Sequence, residues 1–237
     1  MLQLRTFGGL TLRLDGMPIT GVVTQRRQLA LLSLLAVSGD EGMSRDKLLG
    51  YLWPERDPGS ARHLLNQHLY TQRHHVGDAG LFLGRKTLRL NPDLIESDVA
   101  AFGAALAASV PERAVAEYRG PFLDGFFLAG AVEFETWVDE QRLRFARSCA
   151  SALDALARVA AAGGDSESAC EWRRRAAQFD PLDAPKAIAL ANALISRGDR
   201  PGALRALLAH QNRVRKELEI DPDPAVSRLM SSLGGGG

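Results

Sequence analysis

Three features of this 237-residue sequence predict a mainly α fold with a small β component. Residues 2–6 and 10–14 alternate apolar and polar with period two, as half-buried strands do. Residues 57–90 read as a helix with one apolar and one polar face, followed by a two-stranded hairpin with a basic tip. Residues 98–233 are rich in Ala and Arg, helical in period, and broken mainly by Gly, Asp and Pro. The expected architecture is an N-terminal winged helix-turn-helix at 1–96, an all-α tetratricopeptide-like repeat domain at 97–233, and a flexible Gly tail at 234–237.

Leu2, Leu4 and Thr6, then Leu10, Leu12 and Leu14, mark two strands, with Gly8-Gly9 and Asp15-Gly16 as turns. From Gln25 the period becomes helical. Leu29, Leu32, Leu35 and Ala36 share a face that ends at Ser38-Gly39-Asp40. Ser44 is placed to cap a second helix containing Leu48, Leu49, Leu52 and Trp53, closed by Pro54. Asp57-Pro58-Gly59-Ser60 opens a third helix, and the hairpin spans 81–90. In the second half Gly164-Asp165 recurs as Gly198-Asp199, Ala169 as Ala203 and Leu156 as Leu190, each 34 residues later. That is the period of a tetratricopeptide helix pair, in which small residues let antiparallel helices touch. The copies drift, because Asp180-Pro181 recurs seven residues late as Asp221-Pro222. Pro111-Glu112-Arg113-Ala114 marks the start of a degenerate third copy.

On a wheel of 100° per residue, Arg62, Asn66, Tyr70 and Arg73 fall within one ~80° arc with His63 beside it. Ala61, Leu64, Leu65, His68, Gln72 and Val76 fall on the other side, which is expected to pack on the first two helices. The outward arc suits a major groove: Arg pairs with guanine, Asn with adenine, and Tyr meets a phosphate or a thymine methyl. Arg85 and Lys86 at the hairpin tip, with Arg89 on its second strand, are placed to meet a neighbouring phosphate or minor groove. Arg26, Arg27, Arg45 and Lys47, at the starts of the first two helices, are further phosphate candidates. His68 reads as a core histidine hydrogen-bonded to the backbone, and Trp53, Trp137 and Trp172 as core.

Composition excludes more than it names. The formal charge of +1 divides into 12 Lys/Arg against 9 Asp/Glu over residues 1–96 and 17 against 19 over the rest. Such mild asymmetry does not by itself indicate nucleic acid, so placement must carry that inference. There is neither a membrane-length apolar run nor an N-terminal signal pattern, and a cytoplasmic protein is expected. Cys149 and Cys170 lack the spacing of a disulfide framework or zinc site. His63, His68, His74 and His75 have no Cys or carboxylate at ligand spacing, so neither metal nor cofactor is expected. No phosphate-loop, nucleophile-elbow or zinc-protease motif is present, and Glu133/Glu135 and Asp139/Glu140 lie on different helical faces. The chain is therefore not expected to be an enzyme.

The order of several short motifs resembles the bacterial transcriptional activator domain family, the SARP-type regulators with an OmpR-type winged helix before tetratricopeptide-like helices. The carriers begin with Phe7-Gly8-Gly9-Leu10, Gln25-Arg26-Arg27-Gln28-Leu29, Ser44-Arg45-Asp46-Lys47-Leu48-Leu49 and Leu52-Trp53-Pro54. They continue through Ala61-Arg62, Arg73, Leu88-Arg89-Leu90-Asn91 and Glu96-Ser97-Asp98-Val99-Ala100-Ala101-Phe102. Tyr118-Arg119-Gly120-Pro121-Phe122-Leu123, Phe134-Glu135-Thr136-Trp137-Val138 and Asp180-Pro181-Leu182-Asp183 complete the series. The resemblance implies a regulator, an activator by type, that binds repeated promoter sites in double-stranded DNA and contacts RNA polymerase, often as side-by-side protomers. It also implies that Arg62, Asn66, Tyr70 and Arg73 face DNA, with Arg85 and Lys86 at the wing tip. The chain departs from the family where Gln72, His74 and His75 stand in place of Leu, Arg and Leu. Polar groups at two packing positions would loosen the helix's seat, and one phosphate contact is lost.

A second expectation belongs to another class, an interaction scaffold of tetratricopeptide type whose winged helix has lost or weakened DNA binding. Arg158, Arg173, Arg174, Arg175 and Arg205 would then line a groove for an acidic peptide.

Overall fold

The computed structural model describes residues 1–21, 24–76 and 79–234. The side chains of Val76 and Ala79 lie outside that description, as do Gly77 and the last three residues of the Gly tail. The fold is mainly α with a small β component: a winged helix-turn-helix followed by paired helices. Two compact units emerge, Met1–Phe145 and Ala146–Gly237, and the 31-residue helix α6 (Val132–Ala162) contributes to both.

In the first unit, β1 (Leu2–Arg5) and β2 (Thr11–Leu14) form the expected antiparallel pair, Leu2 opposite Leu14 and Leu4 opposite Leu12. Two further strands were not expected: β3 (Met17–Pro18) on one edge and β7 (Ile95–Ser97), parallel to β1, on the other. Helices α1 (Arg26–Ser38), α2 (Arg45–Leu52) and α3 (Pro58–Val76) follow as the sequence reading places them. Their caps explain the boundaries. Gly39 ends α1 with φ +53°, a conformation open to glycine, and the Ser44 hydroxyl accepts the Lys47 N–H. Asp57 accepts from the Gly59 and Ser60 N–H groups at the start of α3.

The wing is β5 (Phe82–Leu83) and β6 (Thr87–Leu90), completed into three strands by β4 (Met43–Ser44) against β6. Gly84 begins its tip at φ +86°, where an added Cβ would collide with the Thr87 carbonyl oxygen. Only glycine fits that turn.

Helices α4 (Asp98–Ala107) and α5 (Pro111–Glu117) follow, the latter opening at Pro111. Phe7 is packed among Phe102, Tyr118, Phe122 and Phe145, with ring centroids 4.9–6.4 Å away. The motifs on either side of residue 96 therefore share one aromatic core, which is why the compact unit runs on to Phe145. Gly120 belongs to this contact, for a Cβ there would lie 2.9 Å from the Gly8 Cα.

In the second unit α7 (Ser166–Phe179), α8 (Ala184–Ser196), α9 (Arg200–Leu218) and α10 (Pro224–Gly234) continue from α6. The repeated Gly-Asp has one structural meaning in both copies. Gly164 and Gly198 take φ +81° and +79°, and Asp165 and Asp199 cap α7 and α9 through the N–H groups of Ser168 and Gly202. Of the seven extra residues in the second copy, five lengthen α9 (19 residues against 14 in α7) and two lie in the loop after it. Cys170, Ala191, Leu194, Ala203, Leu207 and Val226 form the core. Burial pushes the Cys149 thiol up to about 11, despite the Arg175 charge acting the other way. Among the described residues no helix is long and apolar enough to cross a membrane.

Candidate nucleic-acid interface

Helix α3 is seated by Ala61, Leu65 and Leu69, all at most 3% exposed, and by the fully buried Gln72. It packs against α2 and against the turn Ala79–Leu81. Leu69, absent from the expected packing face, is part of this seat, whereas Leu64 and His68 are only half-buried. Gln72 is accommodated at its packing position. His75, expected at another, is exposed instead, because the helix has turned it away from its support.

The outward face carries Arg62, His63, Asn66, Gln67, Tyr70 and His74, all exposed. Tyr70 and His74, one helical turn apart, stack with centroids 5.9 Å apart and planes 6° from parallel. Arg62 reaches Asp46 at 3.6 Å and Arg89 reaches Asp40 at 3.7 Å. Such exposed pairs contribute about 0–1 kcal/mol, so either arginine can exchange its carboxylate for a phosphate at little cost. Arg85, Lys86 and Lys47 are exposed and form no ion pair with a described residue.

Arg73 does not share the orientation of Arg62. It is half-buried, donates from Nη2 to the Phe82 carbonyl at 3.4 Å, and lies 5.8 Å from the centre of the Phe82 ring. The helical wheel placed it outward, but the wing strand comes to meet it. It braces α3 against β5. Arg73→Ala is accordingly expected to lower stability by about 1–2 kcal/mol through lost packing and a lost charge-assisted hydrogen bond. Hydrogen exchange would check this, with faster exchange across residues 82–90 as the expected sign.

The remaining phosphate candidates are partly engaged. Arg26 donates to the Phe127 carbonyl and lies over the Phe126 ring. Arg27 donates from Nε to the Leu52 carbonyl. Arg45 joins α3 to the wing: Nη1 donates to Asn66 Oδ1 at 2.9 Å and Nε to the Arg85 carbonyl at 2.7 Å. Sequence reasoning missed this link, since 21 and 40 residues separate the partners and no local pattern connects them.

His68 departs from its expected role. Its Nδ1 is buried with no hydrogen-bond partner among the described residues, and its ring meets Trp53 edge-on at 5.1 Å. Burial first, and the Arg27 charge second, hold its pKa below the ordinary 6.5. The fold thus favours the neutral ring. Its contribution is complete above pH 6.5 and is lost as the pH falls from there through the lower folded pKa. Melting temperatures measured from pH ~7.5 to ~5 should show an acid loss that His68→Gln reduces.

In the second unit the arginines expected to line a groove are dispersed. Arg173 pairs with Asp154 at 3.0 Å, Arg174 with Glu171 at 2.6 Å, and Arg175 lies over Trp172, which is half-buried rather than core. Arg158 and Arg205 are exposed. A cleft of about 430 Å³ between α6, α7 and α8 is walled largely by alanines, with Arg173, Asn192, Ser166 and Ser196 as its polar groups.

Comparison with known proteins agrees with this fold. The structure of Mycobacterium tuberculosis EmbR in complex with a low-affinity phosphopeptide is similar over 99% of this chain, with a TM-score of 0.69 and 22% sequence identity. This likeness shows the fold, and the chain spans 65% of the length of that one. A search of curated protein sequences finds no match. The family model described as bacterial transcriptional activator domain matches residues 96–233. With more than half of its length so matched, and with the winged helix and paired helices that its resemblance to SARP-type regulators implies, the chain belongs to the bacterial transcriptional activator domain family, a family of transcription regulators.

Proposed function

We propose that this regulator binds double-stranded promoter DNA, laying α3 in a major groove and the wing tip against the adjacent backbone. One observation carries the reading: Arg62, Asn66 and Tyr70 stand exposed on one face of a helix seated by Leu65 and Leu69, beside a wing tip bearing Arg85 and Lys86. Arg62, Asn66 and Tyr70, with His63 at the margin, meet base edges. Arg85, Lys86 and Arg89 meet phosphates, with Arg45 and Lys47 nearby and Arg26 and Arg27 at the start of α1. Arg73 supports the reading surface from beneath.

Functionally the division falls at 96/97. The winged helix reads direct promoter repeats in the cytoplasm, and the helical domain supplies contacts between protomers and to RNA polymerase or another partner. The phosphopeptide complex of the structural neighbour supports partner control in this fold. The alternative of a pure interaction scaffold draws on the α6–α7–α8 cleft of about 430 Å³, which lacks a run of free arginines among the described residues.

Fluorescence anisotropy with labelled promoter duplexes at ~50 and ~200 mM salt tests the proposal. Wild-type affinity should fall at least about tenfold across that range. Arg62→Ala/Arg85→Ala should bind more weakly, with a salt slope reduced by about one through Arg85 and sequence preference relaxed through Arg62. No binding at the lower salt, or a double variant identical to wild type, would refute the docking.

A further inference from the structure

Arg45 opens α2 and touches both elements assigned to DNA. Its Nη1 donates to Asn66 Oδ1, its Nε to the Arg85 carbonyl, and its backbone N–H to the Lys86 carbonyl at 3.1 Å. A guanidinium has donors only, so the Asn66 atom that faces it is the amide oxygen. This fixes which way the amide is turned, a choice that shape alone leaves open. Asn66 therefore keeps its NH₂ group for a ligand, while one of the two lone pairs of its oxygen is taken and a positive charge stands beside the other.

An asparagine that reads adenine uses both ends of its amide. Nδ2 donates to N7, and Oδ1 accepts from the N6 amino group. Here one lone pair of the accepting end is taken by Arg45, and the guanidinium beside the other hinders the approach of a second donor. A base edge made only of acceptors meets no such conflict. Guanine offers two in the major groove, O6 and N7, whereas thymine offers O4 alone beside a methyl group. We propose that Arg45 biases Asn66 towards donating, so that the base beneath it is guanine and not the adenine an unassisted asparagine would select. The inference rests on the DNA-binding reading of α3 and names the base class that this position takes.

Sequencing of random duplexes retained at low salt by wild type, Asn66→Ala and Arg45→Met tests it. The base pair concerned is the one whose preference Asn66→Ala flattens. Guanine is expected there in the wild type. In Arg45→Met the preference should swing by about tenfold towards adenine, with other positions unchanged. Adenine in the wild type, or no position responding to Asn66→Ala, overturns the proposal even if the Arg45 variant folds poorly. Uniform weakening on all duplexes in Arg45→Met, with the base unchanged, reduces Arg45 to a structural brace and also overturns it. If the wild type retains no duplex, the DNA-binding reading itself falls and takes this inference with it.

Discussion

Asp98→Ala is expected to destabilise the N-terminal unit by about 4 kcal/mol, because it strips partners from several buried donors at once. The carboxylate is 2% exposed. It accepts from the Thr6 N–H at 2.8 and 2.9 Å, the Thr6 hydroxyl at 2.7 Å, the Phe7 N–H at 3.0 Å and the Val99 N–H at 2.9 Å. No Lys or Arg among the described residues forms an ion pair with it, so hydrogen bonds and the N-terminus of α4 carry its charge. Alanine leaves four donors without an acceptor and opens a hole where β1 meets α4. Asp98→Asn keeps the shape but turns a donor towards other donors, and should lose about 2 kcal/mol. Urea unfolding followed by tryptophan fluorescence would measure both. A shift below about 1 kcal/mol for the alanine variant would mean that the carboxylate is not what holds the junction.

Leu65→Ala should lose about 3 kcal/mol, since its side chain is fully buried beneath α3 and its removal leaves a cavity. Leu65→Met, which nearly conserves volume, should lose under about 1.5 kcal/mol. The functional consequence is separable from the energetic one. Leu65 faces away from the exposed arc of Arg62, Asn66 and Tyr70, so any loss of DNA affinity in the alanine variant acts through the helix's seat. Calorimetry paired with anisotropy would show whether affinity recovers in the methionine variant together with stability. Affinity lost equally in both would place Leu65 nearer the duplex than this geometry has it.

Much of the fold was legible along the chain. Periodicity located β1, β2, α1, α2 and α3, and short polar residues located their ends, because caps such as Ser44 and Asp57 act within three residues of themselves. The Gly-Asp repeat was legible for the same reason, glycine supplying a positive φ and aspartate the next helix's first acceptor. Strands β3, β4 and β7 were not. Two or three residues cannot display a period, and β7 exists only because β1, some 90 residues earlier, offers it a free edge.

The candidate site divides along the same line. Exposure of Arg62, Asn66 and Tyr70 follows from 100° per residue, so the wheel placed them where the structure has them. Arg73 obeyed the same wheel and still folded inward, because whether an outward position remains free depends on what another element brings to it, here Phe82. His68 lost its expected backbone partner to the face of α3 on which Trp53 happens to lie.

What the sequence by itself determined was therefore what spacing within a few residues governs: helix faces, caps, the basic tip of the wing and the Gly-Asp turns that recur between the paired helices. Only the tertiary structure decided which charged groups are spent on the protein's own backbone. Arg45, Arg73 and Asp98 differ in local context but share a fate, each tied to partners that become neighbours only after the chain has closed on itself. A hydrogen bond needs atoms within about 3 Å, and sequence distance says nothing about that until the strands and helices have packed.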